Sequence, residues 1–124
     1  MTNGWGRDEL EASVIAYISM LNAGRRDQKI NKAEIYRQLS SRFGRTESAF
    51  ERRMSNISHV YHMNGREWVK GLKPLSNVGS NVLRVIEELI NENDEFSSLP
   101  TIDFEQSVTK LLETKNLPKP KGTI

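Results

Sequence analysis

The feature that most constrains this chain is the shortness of the link at Gly44-Arg45, which joins two stretches that each carry an apolar helical stripe. In INKAEIYRQLSSRFG the residues Ile35, Tyr36, Leu39 and Phe43 recur at three- and four-residue steps. In the next stretch Phe50, Met54, Ile57 and either Val60 or Tyr61 do the same. Asn31 is placed to cap the first helix, with Glu34 at the reciprocal position and Ile30 able to staple onto Ile35. Gly44 supplies a left-handed residue to end it, and Thr46 caps the following helix. The order is therefore helix, tight glycine-containing turn, helix.

A preceding segment, DELEASVIAYISMLN, supplies a third apolar face through Leu10, Val14, Tyr17, Ile18 and Leu21. Asp8 is its expected cap, Glu11 the matching capping-box residue, and Gly24 its end. After the helix at 46–62, Gly65, Gly71, Pro74 and Gly79 interrupt regular structure, while Trp68, Val69, Leu72 and Leu75 read as anchors fastening the loop over the core. A fourth helix follows, with Val82, Val85, Ile86, Leu89 and Ile90 inward, and a weaker fifth runs from Asp103 through Phe104, Val108, Leu111 and Leu112. The expected fold is all-α: a small helical domain with a helix-turn-helix-like trihelical core plus one or two C-terminal helices. Residues 1–95 form the head domain, 96–117 an additional helix, and the proline- and lysine-rich 118–124 a linker or flexible tail.

Composition narrows the function classes. A chain of 124 residues is one domain by size. With no cysteine it has no disulfide framework, thiolate zinc site or cysteine nucleophile. No apolar stretch approaches bilayer length and the start lacks a basic-then-apolar signal, so the expected setting is cytoplasmic, with no membrane partner. The net charge of +2 hides an asymmetry: residues 25–70 hold eleven Lys/Arg against five Asp/Glu, whereas residues 85–113 hold one Lys against eight acids. A basic segment followed by an acidic one points to one face meeting a polyanion.

The polar side of the helix at 46–62 is the candidate site. Arg45, Ser48, Arg52, Ser55, Asn56, His59 and His62 fall mostly away from the apolar stripe. Arginine pairs bidentately with guanine, asparagine with adenine, and serine with bases or phosphates, all from a helix in the major groove. Arg53 lies nearer the stripe and suits phosphate, as do Arg66, Lys70 and Lys73 in the loop and the backbone amides near Asn77, Gly79 and Ser80. A merely solvated helix also carries arginines, but this face has Arg, Ser, Asn and His in place of Glu–Lys pairs. His59 and His62, spaced i and i+3, make an incomplete metal site without cysteine or a nearby carboxylate, so neither metal nor cofactor is expected. No catalytic constellation can be assembled, and the chain reads as non-enzymatic by itself.

The stretches WGRDELEASVIAYISML and NKAEIYRQLSSRFGRTESAFERRMSNISHVYHMNGREWVKGLKPLSNVG resemble the N-terminal head domain that precedes HNH nuclease domains in McrA-like, modification-dependent restriction endonucleases. The likeness spans roughly Trp5 to Ile90, and its most specific pieces are Asn31-Lys32-Ala33, RMSNIS and GLKPLSNVG. The resemblance implies a role in bacterial defence, a double-stranded DNA target that carries base modification, and a nuclease domain in the same chain or on a partner. The HNH residues themselves have no counterpart here. The leading expectation is a non-catalytic DNA-binding module. The alternative is a protein-interaction or homodimerisation module in which Phe96, Leu99, Ile102 and Phe104 form an apolar seam.

Overall fold

In a computed structural model of the protein, which describes residues 4–94, four helices follow one another: α1 (Arg7–Arg25), α2 (Lys32–Phe43), α3 (Glu47–Met63) and α4 (Ser80–Asn93). α1 packs against each of the other three, α2 on α3, and α4 on α1 and α3, so α1 to α3 make the trihelical core and α4 closes one side. The fold is all-helical, and no described helix is long and apolar enough to cross a membrane. The expected helix from Asp103, the seam through Phe96 and Phe104, and the tail 118–124 lie outside the described residues.

The α2 and α3 caps stand where the sequence puts them. Asn31 accepts the Glu34 amide at 3.0 Å, Thr46 accepts the Ala49 amide at 3.1 Å, and Gly44 sits at φ 78°. That positive φ is the reason for glycine there, since a side chain would strain it. The Glu34 carboxylate turns to Arg37 and Gln38 rather than back to the cap. α1 differs at both ends. Its cap is Gly6, whose amide donates to Glu9 Oε1 at 2.9 Å, two residues before the expected Asp8 and Glu11. Glu9 is also held by Arg45 from across the fold, and this tertiary pair decides where the helix starts. Gly24 lies inside α1, and the left-handed residue after it is Asp27, at φ 58°.

The stripes meet in one core. Val14, Tyr17, Phe50, Met54, Ile57, Ile86 and Leu89 are fully enclosed, and both Val60 and Tyr61 are buried. Each such side chain contributes roughly 1.5–3 kcal/mol relative to exposure. Two of the enclosed polar groups pair with each other: the Tyr17 hydroxyl lies 2.7 Å from Ser58 Oγ, and it also accepts the Val69 amide at 3.0 Å. One phenol thereby joins α1, α3 and the 64–79 loop. Val69 and Leu72 are buried as expected for loop anchors, but Trp68 is not: it is 37% exposed, standing edge-on to the His62 ring at 5.1 Å.

Candidate functional site

α3 has two polar sides, which the structure treats differently. Steps of three and four residues from Arg53 lead to Asn56 and Val60, a row flanking the apolar stripe on the side where the loop returns. The Leu75 amide donates to the Ser55 carbonyl at 3.0 Å. Asn56 Nδ2 donates to the carbonyls of Leu75 at 2.8 Å and Asn77 at 3.3 Å, and its Oδ1 accepts from Arg53 Nη1 at 2.9 Å. Asn56 is 1% exposed. It is a clamp between helix and loop, which corrects its assignment to base edges: a side chain with its amide committed to loop carbonyls has no free edge to offer adenine.

Arg45 is likewise committed. Its Nε and Nη2 donate to the two Glu9 carboxylate oxygens at 2.8 and 2.9 Å, Nη2 also reaches the Gly4 carbonyl, and its guanidinium lies 4.2 Å from the Trp5 ring centroid. The pair is mostly enclosed, and the hydrogen bonds from Arg45 hold the Glu9 carboxyl below the usual carboxylate range. Its charge is thus neutralised within the fold, where the sequence reading left it free for the DNA backbone.

Arg53 lies against the same ring, 4.5 Å from its centroid, with no carboxylate partner among the described residues. It is partly buried, and its enclosed Nε–H has no hydrogen-bond partner among those residues. Burial, and then the Arg45 charge, lower its proton affinity. A guanidinium nonetheless stays charged at any ordinary pH. A partly desolvated cation with an unmade bond is costly unless an anion arrives to meet it. Trp5 had no assigned role in the sequence reading; it forms the platform under Arg45 and Arg53 and meets Phe50 edge-on at 5.1 Å.

The opposite side of α3 is open. Ser48 and Arg52 are exposed, Ser55 and His59 are partly so, and Arg52 makes no ion pair among the described residues. Lys70 and Lys73 are exposed on the loop and make no ion pair among the described residues, while Arg66 is partly buried and engaged. Lys70 shares a second cleft with Arg25, Lys32 and Trp68, where Arg25 pairs with Glu67 at 3.5 Å. The fold thus brings Ser48, Arg52, Ser55 and His59 together and withdraws Arg45 and Asn56. At the acidic end of α4 the fold's own cations meet two of the acids at the surface: Glu88 and Glu92 bind Arg7 at 3.3 and 3.0 Å, and Glu88 also binds Arg84.

Set beside protein-family models, curated proteins and solved structures, the chain matches none of them.

Proposed function

We propose that this domain is a non-catalytic DNA-binding module that lays α3 in the major groove, with Ser48, Arg52, Ser55 and His59 toward base edges and Arg53, Arg66, Lys70 and Lys73 toward phosphates. The observation that carries the reading is Arg53: a partly buried guanidinium that has no carboxylate partner among the described residues and neighbours the exposed Arg52 on α3. A phosphate oxygen meeting the accessible part of this guanidinium supplies the missing countercharge. The helix-turn-helix order supports this use of α3, because the second helix of that motif meets bases with its first turns. With the likeness to McrA-like head domains, this reading assigns the module to a bacterial restriction system, recognising double-stranded, modified DNA for an HNH nuclease domain.

The test is fluorescence-anisotropy binding to unmodified and cytosine-methylated duplexes across a salt series, beside Arg52→Glu and Arg53→Gln, each first checked for an unchanged thermal transition. Expected are affinity that falls steeply with salt, a loss of about tenfold or more in either variant, and a preference for the methylated duplex. Absence of binding at low salt overturns the reading. Equal affinity for both duplexes removes the modification sensing and leaves DNA binding.

A further inference from the structure

Between α2 and the first two turns of α3 runs a cleft lined by Lys32, Tyr36, Ser40, Glu47, Ser48 and Glu51. Its chemistry differs from that of every other surface described above. Glu47 and Glu51, one turn apart and exposed, have no ion pair among the described residues, like Glu11 and Glu87, but they alone of these four line a cleft with a buried phenol. Tyr36 is only 6% exposed and its hydroxyl has no hydrogen-bond partner, although a buried hydroxyl normally finds one. Burial first, and then the nearby Glu51 charge, push that phenol up to about 12, which marks Glu51 as the carboxylate across the cleft from it. Apart from Lys32 at its α2 end, the cleft offers two carboxylates, two serine hydroxyls and a phenol. The α3 side with Glu47 and Glu51 therefore suits a group that donates hydrogen bonds.

Resting on the DNA-binding reading, we infer that this cleft receives the exocyclic amino group of a cytosine or adenine in the major groove, with Glu51 as the acceptor that selects it. Glu51, Ser48 and Arg52 share the outward arc of α3, and residues at the start of a groove-lying helix are those that reach base edges. Carboxylates accept from the cytosine N4 amino group, as arginine donates to guanine O6 and N7. Glu51 and Arg52 are thus a complementary pair of readers on adjacent positions. Ser48 lies between them on the same arc, and the buried Tyr36 phenol beneath the cleft sits close enough to Glu51 to feel its charge, so that it tunes the acceptor from below. Lys32, at the α2 end, has the charge for the flanking phosphate. From sequence this face reads as Arg, Ser, Asn and His; exposed Glu47 and Glu51 on the same arc correct that description, and the cleft beside them comes from the packing of α2 on α3.

The inference is tested by selecting bound duplexes from a randomised library with the wild-type chain, then measuring affinity for the selected duplex and its single-position variants with Glu51→Ala and Tyr36→Phe. Glu51→Ala removes a negative charge near the DNA, so affinity for unselected duplexes should hold or rise. Preference for C or A over T at one position should fall by about tenfold. Tyr36→Phe should weaken the same preference at the same position while leaving the melting temperature unlowered, since it deletes a buried hydroxyl with no partner. Unchanged base preference in both variants, with wild-type binding intact, overturns the inference and leaves DNA binding standing. A wild-type chain that binds no duplex overturns both.

Discussion

Arg45 and Glu9, thirty-six positions apart, are joined by two parallel hydrogen bonds at 2.8 and 2.9 Å that fix the start of α1 against the start of α3. The pair is mostly enclosed, so removing one partner leaves the other uncompensated. Arg45→Ala should destabilise the domain by about 2 kcal/mol, the range of hydrogen bonds to charged groups, read as a shift in the urea midpoint. The pH dependence has a definite sign. The folded Glu9 pKa lies below the ordinary 4.5, so its contribution is present above that value and is lost as pH falls through the lower folded one. Arg45→Ala should flatten this acid limb. An equally steep limb in the variant would assign acid sensitivity to other carboxylates.

Asn56 ties α3 to the returning loop through the Leu75 and Asn77 carbonyls. Asn56→Ala leaves these acceptors and the Arg53 guanidinium without their partner and opens a small cavity, a cost of roughly 2–3 kcal/mol. Asn56→Asp keeps the shape and the acceptor but turns two donated bonds into repulsion between oxygens, and should be no better. Limited proteolysis within 72–79 should quicken in both, since the Leu75 amide to Ser55 is then the remaining loop bond to this part of α3. Unchanged cleavage and an unchanged melting temperature would show the clamp to be dispensable.

The contrast between Asn56 and Arg52 shows how far the sequence could be read. Three-and-four spacing found the buried rows of all four helices, and Asn31, Gly44 and Thr46 marked real ends because caps are local chemistry. Asn56 and Arg52 both stand off the apolar stripe, and spacing alone cannot say which flank a loop some twenty residues later will cover. The same holds for Trp5, which lies before α1 and meets Arg45 and Arg53 only in the folded chain. Glu51 was hidden for a different reason: its meaning depends on the orphaned Tyr36 hydroxyl on another helix.

Lys70 and Lys73 are exposed and make no ion pair among the described residues, so replacing either by alanine should leave stability within about 0.5 kcal/mol of wild type. If each meets one phosphate, the slope of log affinity against log salt should fall by about 0.9 per residue replaced, equally for all DNA sequences. Arg52→Ala should instead change which duplexes are preferred. Slopes that match the wild type in both lysine variants would place the DNA backbone on another part of the surface.

Tyr36 gives the alkaline limb of the stability curve. Below pH 10 its phenol is protonated in both states and pH has no leverage through it. Above pH 10 the unfolded phenol ionises, while the folded one keeps its proton until about 12, so rising pH favours unfolding across that window. The loss approaches roughly 1.4 kcal/mol per pH unit for one fully shifted group. Tyr17, also raised by its burial, adds a part of its own. Tyr36→Phe removes the first contribution and deletes a buried hydroxyl that has no partner, so its urea midpoint should match or exceed wild type at neutral pH and decline less steeply above pH 10. A variant that declines in parallel with wild type would assign the alkaline loss to Tyr17 and to the deprotonation of lysines, and would mean that the Tyr36 hydroxyl reaches water in the folded state.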